Sequence, residues 1–423
     1  MSLTPQTDAP SLRDAPWLTS GPAARVLGLL NRDGEEARVV GGAVRNALMN
    51  LPVTEIDIAT TAPPDAVVAR ARAASIKTIA TGIEHGTVTL VIAGRPIEVT
   101  TLRQDVETYG RKAKVAFGRD WVRDAERRDF TINALSVTAD GAVHDFVGGV
   151  ADIAARRVRF IGEPAQRIAE DYLRILRFFR IHAAFGSGEP DRAALLACLA
   201  GRDGLDLLSA ERIRMEMLKL LVAPGAAAAL QAMGDGGLLL RILGGVTYHS
   251  ALAAMIEIER MMGLEADAIR RLAALAVALP EDARRLAQRL RLSNAEAKRL
   301  DAMGHRWWRL KDMDEDTARR RLYRLGVNVY VERLLLAWAR AGTVADAERF
   351  HSLARLPQRW CAPEFRLKAA DFIARGVPEG PLLGQALTLA EDAWLAADFP
   401  DGAGALMVIA DESVARLRRD GRL

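Results

Sequence analysis

Glu55 and Asp57 are carboxylates separated by one residue, in the run Glu55-Ile-Asp-Ile-Ala-Thr60, where charged and apolar residues alternate. A period of two is the pattern of a half-buried strand, and residues two apart on a strand share a face. This reading sends both carboxylates to one side, with Ile56 and Ile58 buried behind them. At a rise of about 3.3 Å per residue their Cα atoms lie about 7 Å apart. Carboxylates so placed can hold two Mg²⁺ ions about 3.5–4 Å apart, an arrangement suited to in-line displacement at phosphorus. A strand with a solvated polar face has the same spacing, and an acidic pair alone does not separate the two readings.

The residues just upstream bear on that choice. Val39 and Val40 read as a strand end, Gly41 and Gly42 as a turn, and Ala43 to Met49 as a short helix. Pro52, after Asn50 and Leu51, stops it, because proline cannot continue a helix. Glycines permit the turn geometry. The backbone N–H groups of Gly41, Gly42 and the helix start suit a polyphosphate. Arg45 adds a bidentate phosphate donor.

These groups need elements to hold them. Thr87 to Ile92 alternates and is β-branched, and Ile97 to Thr101 resumes after the Gly94–Pro96 turn as its hairpin partner. Glu98 then points to the polar face, either as a third acidic group near the metals or as a plain exposed strand residue. Asp105 to Arg123 is charged and weakly periodic, and reads as a mobile loop that closes on substrate or as a passive surface loop. Ala125 to Leu135 puts Arg127, Arg128 and Asp129 at the start of an apolar helix or strand, with Asn133 one turn on if it is helical. Ala142 to Gly149 reads as a strand closing into a glycine turn. Beyond about residue 150 the spacing is helical, including Leu208 to Leu221 behind Ser209 and a Ser293–Glu296 capping box. Residues 167 to 181 read as one helix. On it Asp171 and Arg174, three apart, are neighbours on one face, and Arg177 continues that face. The plain alternative there is a solvated ion pair.

The fold class is therefore an α+β head with a mixed sheet, followed by an all-α remainder. We divide the chain into a flexible tail over 1–16, a catalytic head over 17–150, a helical neck over 151–225 and a helical body and tail over 226–423. Half of the 423 residues are apolar and 26% are charged, as in ordinary globular proteins. The net charge of +4 and pI near 9.2 are compatible with nucleic acid. Cys198 and Cys361 cannot build a disulfide framework, so we expect no disulfide partner and a reducing, cytoplasmic setting. The first residues have no signal-peptide core, and no run of eighteen apolar residues exists, so no membrane partner is expected. Arg284 to Arg324 is rich in arginine and reads as a groove for RNA phosphates or as an ordinary charged helix surface. Trp307 and Trp308 within it read as core.

Five blocks, in order, make the sequence specific: GGAVRN with EID, RRDFTINA, HDFVGG, EDYLRILRFFR and LSAERIRMEMLK. Together they resemble the class II template-independent nucleotidyltransferases, the group of CCA-adding enzymes and bacterial poly(A) polymerases. The resemblance spans Val39 to Leu221 and continues only as helical character and RLRLSNAEAKRL. It implies a head of about five strands, then neck, body and tail. It implies that Glu55 and Asp57 are catalytic and hold Mg²⁺, that Gly42, Arg45 and Arg128 contact the triphosphate, and that Asp171 and Arg174 read the base. With these we group Gly41, Asp129, Asn133 and Arg177 as nucleotide-binding residues. Two positions depart from the family pattern: Glu55 and Asn46 each stand where Asp is usual. Glutamate is still a normal Mg²⁺ ligand, and Asn46 loses a charge but keeps a hydrogen-bonding amide.

The implied chemistry of Asp171 and Arg174 is selective. Cytosine and adenine each present an amino donor beside an unprotonated ring nitrogen, matching a carboxylate and a guanidinium. Uracil and guanine present the reverse and leave polar groups mispaired, which rejects them by factors of about 10⁴. The resemblance thus implies transfer of CMP and AMP from CTP and ATP to a tRNA 3′ end, with pyrophosphate released. IKTIATGIEH, residues 76–85, lacks the glycine and paired arginines of the bacterial poly(A) branch. Poly(A) synthesis, CC-only or A-only addition, and a non-catalytic tRNA-binding protein are the alternatives.

Overall fold

A computed structural model describes residues 10–79, 86–109, 112–342 and 346–423, with the side chains of 104–116 excepted. Residues 80–85 of IKTIATGIEH and 1–9 of the tail lie outside it. The chain forms two compact units. The first runs to Thr247 and includes Arg289–Arg291, and the second comprises Tyr248–Gln288 and Leu292–Leu423.

The first unit starts with α1 (Pro16–Thr19) and α2 (Gly21–Leu30). β1 (Ala37–Val40) leads through the glycine turn into α3 (Gly42–Leu48), then β2 (Asp57–Thr60) and α4 (Pro64–Ala73). β3 (Lys77–Ile79), β4 (Thr87–Ile92) and β5 (Arg95–Thr101) follow, then β6 (Arg103–Tyr109), β7 (Lys112–Phe117) and α5 (Trp121–Glu126). Next come β8 (Ser136–Val137), β9 (Val143–His144), α6 (Gly149–Ala154), α7 (Pro164–Glu170), α8 (Leu173–Phe185), α9 (Arg192–Ala200) and α10 (Ala210–Leu221).

The sheet has seven strands in the order β3-β4-β5-β2-β1-β8-β9, more than the five expected. β8 and β9 are two residues each, too short to carry an alternation. The β4–β5 hairpin has the expected pairing, Thr87 opposite Thr100 through Ile92 opposite Arg95. β2 lies parallel to β5, with Ile58 beside Val99. Ile58, Val88 and Val99 are buried on the face covered by α2 and α4. Two other readings are corrected. Asp105 to Arg123 is no loop: β6 and β7 pair from Arg103–Phe117 to Tyr109–Lys112, with a bulge between Asp105 and Glu107, and α5 begins at Trp121. The hairpin pairs part of this backbone despite the weak periodicity. Nor are residues 11–13 a free tail. Ser11 bridges Ala142 and the Leu12 N–H donates to Gly141 O at 2.9 Å, where a Cβ on residue 141 would lie 2.2 Å from Arg13 N.

Phe130 joins the head to α8. It is fully buried, 4.9 Å from Phe160 and 6.4 Å from Phe178 between ring centroids. Next to it the Thr131 hydroxyl donates to Asp152 at 2.6 Å, and Asp152, fully buried, also accepts from Arg157 and Arg159 at 2.8 Å each. Burial alone would raise the Asp152 carboxyl, but these donors outweigh it and hold it below its ordinary 3.8.

The second unit is helical among the described residues. Glu259, 2% exposed, accepts from Arg270 at 2.9 Å and Arg271 at 2.7 Å. Arg299 bridges Asp267 at 2.7 Å and Glu332, and these partners hold its charge. The capping box of Ser293 and Glu296 is formed. Within the basic stretch Arg284, Arg285, Arg299, Arg319 and Arg324 have carboxylate partners, which neutralises part of it locally. Trp307 is half-buried with its N–H on Ala278 O at 2.8 Å, whereas Trp308, read as core, is 43% exposed.

Asp152→Ala leaves two guanidiniums and a buried hydroxyl without their acceptor, and an expected loss of about 3 kcal/mol follows. Because the folded carboxyl titrates below its unfolded value, its contribution is complete at neutral pH and is lost as pH falls below about 3.8. Urea unfolding from pH 7 to pH 3 checks both: the gap between wild type and variant closes toward pH 3.

Candidate active site

The register of β2 and β5 sets Asp57 beside Glu98. Directly paired strand residues point to the same face, so both carboxylates leave the sheet opposite the Ile58–Val99 core. Glu98, which the sequence left undecided, is thus the immediate neighbour of Asp57. Glu55 is not on the strand. β2 begins at Asp57, and Glu55 lies exposed in the extended segment before it, with Ile56 only half-buried. The Asp57 carboxyl is raised, first by burial, then by Glu98 and Glu55, with Arg128 opposing. Among the described residues no three His, Cys, Asp or Glu side chains converge to hold a metal. The donors are nevertheless hard oxygens whose mutual repulsion a divalent cation relieves, and Mg²⁺ commonly takes only one or two protein carboxylates plus substrate phosphates. The donor set fits such an ion.

Beside this cluster is the glycine turn. Gly41 has φ +72°, and its N–H donates to Leu135 O at 3.0 Å, so that donor is already committed. The Cβ of a residue at 41 would meet Arg128 Nη1 at 3.6 Å and Asn133 O at 3.7 Å. Arg128 is aimed there by Asp124, 3% exposed, whose Oδ2 accepts from Arg128 Nη2 at 3.0 Å while Oδ1 accepts from Arg127. Asp124 belongs to α5, capped by the Asp120 side chain on the Val122 N–H at 2.9 Å. Arg45, expected on the phosphates, is instead 8% exposed, donates to Asn46 and to the Asn133 side chain, and lies 3.6 Å above the Phe185 ring. Its place in α3 turns it toward the 3₁₀ turn of Thr131–Asn133 and the end of α8.

The neck supplies a second array. The expected helix over 167–181 is broken at Asp171, whose φ of −157° ends α7, and α8 begins two residues later. Asp171 and Arg174 therefore do not pair as side chains on one helix face; only the Arg174 N–H reaches Asp171 O, at 3.0 Å. Asp171 caps α8 through the Leu173 N–H at 3.1 Å and pairs with Arg212 of α10 at 2.7 Å. Arg174 donates Nε to Asp129 at 2.9 Å and Nη1 to Glu170 and to Arg167 O. Burial would lower the Arg174 guanidinium, but Asp129 and Glu170 outweigh it and raise it. Asp129 also holds Arg177 at 2.7 Å. Arg167 donates to the carbonyls of Arg127 and Arg128 at 2.6 and 2.9 Å. Sequence reasoning missed Glu170, Arg167 and Arg212 as partners, although all three lie in or beside the EDYLR and LSAERIR blocks. It also missed Asp145 of HDFVGG, which accepts four backbone N–H bonds from Val147 to Val150 and so fixes the turn. His144 and His182 are both lowered, chiefly by burial.

The arrangement places a carboxylate cluster beside an arginine-flanked glycine turn and an ion-paired neck helix. A family model described as the poly A polymerase head domain matches residues 37–159, and one described as a probable RNA and SrmB-binding site of polymerase A matches 192–248. The CCA tRNA nucleotidyltransferase 1, mitochondrial, of Mus musculus is 32% identical over 371 residues, 86% of this chain and 84% of that protein. The CCA-adding enzyme of Limosilactobacillus fermentum is likewise 32% identical over 371 residues, 87% of this chain and 90% of that protein. The crystal structure of the Bacillus stearothermophilus CCA-adding enzyme in complex with CTP matches with a TM-score of 0.72 at 26% identity, over 96% of this chain and 99% of that one. This chain belongs to the family of CCA-adding tRNA nucleotidyltransferases and is a nucleotidyltransferase.

Gly41→Ala puts a side chain into left-handed backbone against Arg128, at an expected cost of about 1–2 kcal/mol. Chemical denaturation measures it, with Gly28→Ala, on an open helical surface, as the comparison, expected to gain about 0.5–1 kcal/mol instead.

Proposed function

We propose that this protein is a CCA-adding enzyme, transferring CMP and AMP from CTP and ATP to a tRNA 3′ hydroxyl with release of pyrophosphate. The observation that carries the reading is the in-register Asp57–Glu98 pair beside the Gly41–Arg128 turn. Glu55 and Asp57, with Glu98 adjacent, are the residues to hold Mg²⁺. Such an ion, when bound, lowers the pKa of an attacking hydroxyl and neutralises a leaving pyrophosphate. Arg128, oriented by Asp124, meets the triphosphate together with the Gly42 N–H. Catalysis here is mainly positioning and charge neutralisation, as in phosphoryl transfer generally.

Asp171 and Arg174 read the base. Nε and Nη1 of Arg174 are taken by Asp129, Glu170 and Arg167 O, and Nη2 has no bond among the described residues. Each Asp171 oxygen accepts one bond, leaving lone pairs. A free donor on one side and free acceptor capacity on the other match the edges of cytosine and adenine. Asp129 and Arg177 brace Arg174, and Asn133 braces Arg45. The helical regions after the head bind tRNA, and the cytoplasm is the working compartment. No helix among the described residues is long and apolar enough to cross a membrane.

Incubating the protein with tRNA lacking its CCA end, plus CTP, ATP or both, tests the reading. Full CCA addition needs both nucleotides, whereas A-runs from ATP alone, a halt after CC, or no extension each contradict it. Asp57→Ala is expected to reduce transfer at least a thousandfold while tRNA binding in a filter assay holds; transfer within tenfold of wild type excludes the carboxylate assignment. Asp171→Ala is expected to incorporate CTP and ATP poorly and to lose discrimination against UTP, seen in kcat/KM ratios. Retained preference for C and A over U returns Asp171 to a helix cap paired with Arg212.

A further inference from the structure

The mechanism leaves one charged group unexplained. Arg45 is 8% exposed, yet among the described residues it has no carboxylate partner. Its donors go to neutral oxygens: Nε and Nη2 to the Asn46 side chain at 3.2 and 2.8 Å, and Nη1 to that of Asn133. The Phe185 ring covers its other side. The charged neighbour acting on it is Arg180, itself held by Glu216. Burial, with Arg180 adding to it, pushes the Arg45 guanidinium down to about 10, so it remains a cation at neutral pH. An isolated buried charge is costly and is ordinarily paired. The half-buried arginines near the site are paired: Arg128 has Asp124, and Arg174 has Asp129 and Glu170.

Asn46 is the reason Arg45 is unpaired. It occupies the position where the family pattern has Asp, and its Oδ1 takes the place a carboxylate would fill. Its Nδ2 donates to Pro52 O at 3.0 Å, a bond an aspartate could not make. Arg45 Nη2 lies 3.5 Å from where a Cβ on Gly42 would sit, so its charge borders the glycine turn, as Arg128 does at Gly41.

We propose that Asn46 sets the affinity for nucleoside triphosphate by leaving Arg45 without a counter-ion, so that the triphosphate supplies it. This rests on the nucleotide-binding reading above. Arg45 then acts through the field it places at the turn, as a positioning residue rather than a phosphate ligand. A carboxylate at position 46 cancels that field before the nucleotide arrives.

Isothermal titration of CTP with Mg²⁺ into wild-type, Asn46→Asp and Asn46→Ala protein tests this. Asn46→Asp is expected to weaken CTP binding about tenfold, the scale of one partly screened charge at this range. Asn46→Ala, which removes the Pro52 bond and both Arg45 bonds without adding charge, is expected to stay within about threefold. Equal binding by Asn46→Asp and wild type, or equal weakening by both variants, overturns the proposal. Arg45→Gln provides a second route: it should weaken CTP binding about as much as Asn46→Asp, and the double variant should be no weaker than either. Additive losses overturn the proposal. If wild-type protein binds no CTP, the nucleotide reading itself falls, and this inference with it.

Discussion

The site depends on carboxylates that are each shared by two guanidiniums. Asp124 holds Arg127 and Arg128, Asp129 holds Arg174 and Arg177, and Asp152 holds Arg157 and Arg159. Asp124 lies just before the RRDFT segment, Asp129 is within it, and Asp152 bonds its threonine. Each acid fixes two long side chains that would otherwise sample many rotamers, and low exposure strengthens the bonds. Each cluster also keeps one positive charge in surplus. A rigid surface with several uncompensated guanidiniums draws a polyphosphate and holds it without reorganising.

Against that positive wall stands the carboxylate cluster of the sheet. Asp57 and Glu98 face one another because β2 and β5 are parallel and in register, and a one-residue slip would send one of them into the core. The cluster is electrostatically unfavourable by itself, as the raised Asp57 carboxyl shows. Opposite charges gathered on two adjoining elements are what a metal-bearing nucleotide requires: acid for the cation, guanidinium for the phosphates.

Phe130 keeps the two arrays in step. Its neighbours Arg128 and Asp129 belong one to the phosphate side and one to the neck, while its ring is fixed between Phe160 and Phe178. Arg167, bonding the carbonyls of Arg127 and Arg128, adds a polar tie across the same joint. Phosphate and base contacts are thus held by one segment of chain, and a shift of α8 is felt at both.

The sequence by itself determined the strand–glycine-turn–helix unit, the β4–β5 hairpin, the capping box at Ser293 and the ordered blocks that define the family. These are local patterns: two-residue alternation, glycine and proline punctuation, and cap chemistry act within a few residues of where they are read. Only the tertiary structure decided partners. Glu98 joins Asp57 through a pairing between strands about forty residues apart, and Arg212 reaches Asp171 from α10, which no local spacing encodes. The break at Asp171 was hidden because its flanks are both helical, and the chain turns there to satisfy Arg212 and cap α8. Arg45 was legible as an arginine near a glycine turn, but its direction was not. Packing against Phe185 and Asn133 turned it inward, since a side chain's environment is set by what folds against it and not by its place in the chain.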